Sequence, residues 1–107
     1  VIDMVSPDRV HRDWVSRYRI AAAGAQQHRS DDCIAARLIH REERTAPIVT
    51  VHDAASHALS WVGSIFGQRT VAVGVDEFGQ SGDLVDLYRQ GGFLPEQIVN
   101  AALVAIN

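Results

Sequence analysis

The sequence predicts an α/β fold: a mainly parallel sheet in a three-layer α/β/α arrangement. Two observations lead there. The runs IVTV at 48–51 and TVAVGV at 70–75 are apolar without alternation, as strands buried on both faces are. Segments of helical periodicity follow each run, and strands that alternate with helices close into a parallel sheet covered by those helices.

Taken in order, residues 1–5 (VIDMV) read as a first strand. Ser6-Pro7-Asp8 then starts a helix, with a hydroxyl cap, proline at the first helical position and an acid near the positive end of the dipole. Val10, Trp14 and Tyr18 recur at i, i+4, i+8 and define its apolar face. Arg9, Arg12, Arg17 and Arg19 lie opposite with Asp13; phosphate binding is one reading of them, and a solvated face of mixed charge is the simpler one. Residues 21–29 read equally as a fraying helix or a loop.

Ser30-Asp31-Asp32 reads as a second cap. It introduces a short helix with an apolar stripe of Ile34, Ala35, Leu38 and Ile39, expected to end near Arg41. Pro47 opens the strand 48–51, which His52-Asp53 closes. Asp53 is expected to cap a helix facing inward through Ala55, Ala58, Leu59, Val62 and Ile65 or Phe66, with Gly67 as its left-handed stop. The strand 70–75 leads to a helix beginning at Ser81 or Asp83, carrying Leu84, Leu87 and Tyr88 and ending at Gly91-Gly92. Pro95 and Glu96 open a last helix through Ile98, Val99, Ala102, Leu103 and Ile106.

At 107 residues the chain is expected to form one domain, 1–107. A net charge of −3 argues against a general nucleic-acid surface, and no apolar run approaches the ~20 residues of a membrane span. Residues 1–46 hold eight Arg against seven acids, and 47–107 hold two against six, so the asymmetry is mild. All ten basic residues are Arg, which excludes Schiff-base chemistry and a Walker lysine within these residues. Cys33, the single cysteine, has no internal partner and reads as a small packed side chain; a cytoplasmic setting is expected. The chain starts inside an apolar run without Met and is expected to be a piece of a longer protein. Gly63, Gly67 and Gly74 lack the context of a dinucleotide-binding loop.

The chemistry gathers where the strands end. His52, Asp53, Asp76 and Glu77 should share the carboxyl edge of neighbouring strands, a set suited to acid–base work or to a metal. Helix capping and loop contacts account for the same residues more simply. Phe78, Gly79 and Ser81 complete a turn suited to contact with a partner.

An apolar strand ending in an acid, then Phe78-Gly79-x-Ser81, a short helix, Phe93 and a helix with Ile98-Val99-x-Ala101-Ala102 resembles the carboxyl-terminal domain of the transketolase family of thiamine-diphosphate enzymes. The Asp-x-Phe-Gly-x-Ser form is most similar to the homodimeric first component of pyruvate dehydrogenase complexes, with transketolase next. The resemblance covers 47–106 well and 1–14 loosely, and none of its motifs falls in 16–45. Glu77 departs from the Gly usual there in the dehydrogenases, which puts the substrate in question.

The resemblance implies a domain that stabilises a homodimer and supplies no catalytic, cofactor-binding or metal-binding residue. The parent enzyme's other domains would hold thiamine diphosphate and magnesium and cleave a carbon–carbon bond beside a carbonyl. It also implies that a strand–helix unit is missing before Val1, its strand lying between the first and second found here. Ile48–Val51 and 70–75 should therefore pair in parallel, with residues 1–5 not bonded directly to Ile48–Val51. A free-standing flavodoxin-like module for a small molecule or signalling, and a small hydrolase or isomerase using His52 and Asp76, are the other readings.

Overall fold

The computed structural model describes residues 1–24, 33–76, 89 and 92–107. They divide into two compact units, Val1–Thr45 and Ala46–Asn107.

In the first unit, α1 (Pro7–Ala22) begins where the Ser-Pro-Asp signal places it, and the Ser6 carbonyl accepts the first intrahelical bond from the Val10 amide at 3.2 Å. Val10 is buried, while Tyr18 is 65% exposed, so the predicted apolar face is covered at its start and open at its end. His11, Trp14 and Tyr18 form a line of tilted rings along the helix, with neighbouring centroids 6.0 and 5.9 Å apart. The second helix, α2 (Ile34–Leu38), is shorter than expected and stops before Arg41; Arg41–Glu43 forms a separate 3₁₀ turn. Its N-cap is Cys33, whose Sγ accepts from the Ala36 amide at 3.4 Å; the predicted cap, 30–32, lies outside the described residues. Cys33, Ala35, Ala36 and Ile39 are buried, and α1 packs on α2. Asp13 joins the two helices by accepting from the Ile34 amide at 2.8 Å.

Residues 1–5 form no strand. Val1 and Val5 are exposed, and a β-branched run becomes a strand only when a ladder and a packed face receive it.

The second unit is a small α/β domain. β1 (Ile48–Val51) and β2 (Thr70–Val73) pair in parallel, as the sequence predicted, with Ile48 opposite Thr70 and Val51 opposite Val73. Among the described residues the sheet has these two strands, and β2 stops two residues short of the predicted end. The crossover between them is α3 (His57–Ser60), which runs into a 3₁₀ turn over Trp61–Ser64. Val62 and Ile65 are buried, and Trp61 Nε1 donates to the Ala58 carbonyl at 3.0 Å. Gly67, at φ +68°, reverses the chain after the crossover as expected; the left-handed region is open to glycine without penalty. Gln68 then fixes the entry to β2, its amide donating to the Gly63 carbonyl and its Nε2 to the Ala46 carbonyl, at 2.8 and 2.7 Å.

The last helix, α4 (Pro95–Ile106), opens with proline at its first position and packs against both strands. Gln97 Oε1 accepts from the Leu94 amide at 3.1 Å, and Gln97 Nε2 donates to the Arg89 carbonyl at 2.8 Å, which fixes the chain's entry into the helix. Of the predicted helix after 81–83, Arg89 is helical and Gly92 takes φ +79°, and its other residues lie outside the described ones.

Candidate functional site

The carboxyl ends of β1 and β2 lie side by side, held beyond the ladder by two more backbone bonds. The His52 amide donates to the Val73 carbonyl at 3.0 Å, and the Val75 amide donates to the Ala54 carbonyl at 2.8 Å. The chain after β2 thus runs alongside the segment that enters α3. Gly74 permits this approach, because a Cβ there would lie 2.5 Å from both the amide nitrogen and the Cα of Ser56 and 2.6 Å from the Ala54 carbonyl oxygen.

That approach delivers Asp76 to the start of α3, where Oδ1 accepts from the Ser56 amide at 2.8 Å. The predicted cap, Asp53, does not hold this position: the helix starts at His57, and the Asp53 side chain is fully exposed. Asp53 lies three positions before Ser56, the N-cap residue, so the local signal fails and an acid twenty positions away takes the role. The Asp76 carboxyl is held below its ordinary value of 3.8, first by the hydrogen bond from the Ser56 amide and then by the Ser56 side chain; desolvation opposes this, and the nearby charge of His57 adds a smaller pull.

Of the residues singled out at this edge, His52 and Asp53 form a loose pair, with Nδ1 3.6 Å from Oδ1. Asp76 turns to Ser56 and His57 rather than to His52. Glu77, Phe78, Gly79 and Ser81 lie outside the described residues. Ser56, His57 and Gly74 are the participants that the sequence did not mark. A glycine within the strand-like run 70–75 was the one available signal, since such a glycine often marks close backbone approach.

Chemically, this edge joins two backbone segments through a carboxylate. Among the described residues no group of three or more His, Cys, Asp or Glu side chains is placed to hold a metal ion. The described acids at this edge are Asp53, open to solvent, and Asp76, already engaged with the Ser56 amide. They offer no oxygen cluster of the kind that magnesium and a diphosphate require. Among the described residues no helix is long and apolar enough to cross a membrane.

The surface of α4 has a different character. Ile98, Ala101 and Ala102 are half-buried and Ala105 is buried, whereas Val99, Leu103, Val104 and Ile106 are 57%, 54%, 55% and 71% exposed. Residues 97–107 contain no charged side chain. Between Gln97 and Asn107 the exposed Asn100 alone interrupts this apolar outer surface, which is more apolar than a solvated helix face normally is.

Compared with protein-family models, with curated proteins and with solved structures, the chain matches none.

Proposed function

We propose that this chain is the carboxyl-terminal, non-catalytic domain of a cytoplasmic thiamine-diphosphate enzyme, a transketolase or 2-oxo acid dehydrogenase component, and that it serves to assemble that enzyme as a homodimer. The uncharged outer face of α4 carries this reading. Val99, Leu103 and Ile106 follow one another at helical spacing on a helix whose other side lies on the sheet, and one covered side leaves the other to be covered by a partner. A second copy fits that face without charge repulsion, because 97–107 carries no charge. The parallel pairing of β1 and β2 supports the three-layer form that the resemblance implies, as does the start of the second unit at Ala46, beside Pro47, where the resemblance becomes firm.

On this reading the donor's bond-breaking chemistry belongs to cofactor and residues elsewhere in the parent protein. Of the described carboxylates at the strand ends, Asp76 holds backbone and Asp53 faces solvent. Sedimentation velocity over a concentration series tests the assembly role. The chain is expected to self-associate, and the double substitution Val99→Asp with Leu103→Asp to make it monomeric while circular dichroism stays unchanged. A chain that is monomeric at every concentration, and sediments as the double variant does, overturns the proposal.

A further inference from the structure

The arginines of α1 fall into two groups. Arg17 is engaged, its Nε 3.2 Å from Asp13 Oδ1, and the other oxygen of Asp13 holds the Ile34 amide. Arg9, Arg12 and Arg19 make no ion pair with any of the described residues, and Arg12 and Arg19 line an open surface groove with His11, Val15 and Ser16, all exposed but the half-buried Val15. Positions 11, 12, 15, 16 and 19 form one stripe of the helix. Arg12 and Arg19 lie two turns apart, ~10 Å along the axis at 1.5 Å per residue, with the Ser16 hydroxyl and the apolar Val15 between them.

We propose that this stripe binds a small anion bearing two linked phosphoryl groups. Guanidinium forks match phosphate oxygens in geometry and keep their charge at every relevant pH. Two forks held two turns apart on a rigid helix suit an extended dianion better than a single phosphate. The Ser16 hydroxyl is a donor to the bridge, and Val15 gives an apolar floor. The acid closest in sequence to this stripe, Asp13, adjoins Arg12 but is engaged by Arg17 and the Ile34 amide, and Asp8, one turn before Arg12, reduces the local charge without cancelling it. The chain as a whole carries −3, so its overall field repels anions and cannot be the source of binding here. Exposed arginines paired with water are the ordinary condition of a helix face. What separates this face is that Arg12 and Arg19 share one groove, while Arg9 lies outside it and Arg17 is paired with Asp13.

The site lies on α1 and is independent of the assembly reading, which rests on α4. Titration calorimetry of the full chain in low salt without divalent metal tests it, with inorganic pyrophosphate, inorganic phosphate and ADP as probes. Pyrophosphate is expected to bind one to one and at least tenfold tighter than inorganic phosphate. Arg12→Gln and Arg19→Gln should each weaken it at least tenfold, and Arg9→Gln, outside the groove, should not. ADP binding as tightly as pyrophosphate assigns the site to the diphosphate of a larger molecule; ADP binding more weakly assigns it to the free anion. Absence of saturable pyrophosphate binding, equal affinity for phosphate, or equal weakening by Arg9→Gln overturns the proposal. Circular dichroism of each variant separates loss of the site from loss of the helix.

Discussion

β1 and β2 are each four residues long, pair in parallel and are followed within three residues by an aspartate, yet the two acids meet different fates. Asp53 points into solvent beside His52, and Asp76 binds the backbone that opens α3. The acids are chemically identical, so the difference lies in the backbone that carries them. After β2 the chain passes through Gly74 and closes on Ala54 and Ser56 so tightly that no side chain fits. After β1 the chain forms the other side of that approach, and Asp53 lies on it with its side chain turned to solvent. A carboxylate becomes structural here when the backbone delivers it to an unpaired amide, and proximity in sequence to a helix start is not enough.

The largest test of this comparison is Gly74→Ala. The added methyl would press on backbone atoms of Ala54 and Ser56, which cannot swing aside as a side chain can. The two strand ends must separate, at about 1–3 kcal/mol, the usual range for overpacking. Chemical denaturation should show the loss, and the Ser56 amide should become faster in hydrogen exchange. A variant as stable as the parent, with that amide still protected, would mean that the approach is not what positions Asp76.

A second contrast lies inside the strands. Thr50 in β1 is 8% exposed, and its hydroxyl oxygen is buried without a hydrogen-bond partner among the described residues, whereas Thr70 in β2 donates to the Gln68 carbonyl at 3.1 Å. Replacing Thr50 by Val removes an unsatisfied polar group at nearly constant shape and should stabilise the chain by about 1 kcal/mol. Thr70→Val removes a made bond and should destabilise it. The two midpoints of urea unfolding should therefore move in opposite directions.

Asp76→Ala comes next, with a smaller effect because the group is exposed. Its folded pKa lies below the unfolded value, so its contribution is present above the unfolded pKa, near 3.8, and disappears as pH falls through the folded pKa. The wild-type chain should therefore melt higher than the variant at pH 6, and the two curves should converge in acid. Carbon-detected titration of the Asp76 carboxyl should give a midpoint below 3.8. A midpoint at or above it would remove the Ser56 bond as the dominant influence.

Much of the second unit was legible because its signals are local. The β-branched run at 48–51, the glycine stop at Gly67 and the proline start of α4 each depend on a few adjacent residues. The Ser-Pro-Asp start of α1 was legible for the same reason. What could not be read is what depends on partners distant in the chain. Residues 1–5 have a strand's composition and form no ladder, and composition cannot supply a neighbouring strand. Cys33 caps α2 through a thiol, which no capping preference would select. At the candidate site, the sequence identified Asp76 and the shared strand edge but assigned the cap to Asp53, since a bond across twenty residues leaves no periodic trace.

The smallest expected effect is that of Asp53→Ala. Its side chain is fully exposed, and its one described partner, His52, lies at 3.6 Å, too loose for a directed hydrogen bond and open to water and salt. The melting temperature should not change measurably at any pH where Asp76→Ala shows a loss. Combining the two substitutions should reproduce the loss of Asp76→Ala alone, as additivity requires of residues without a shared partner. If Asp53→Ala instead destabilised the chain, or if the double variant lost more than Asp76→Ala, Asp53 would be assisting the start of α3 in solution. The contrast between the two strand ends would then be one of degree, with both acids drawn to the same amides and the tighter approach at Gly74 deciding which is held.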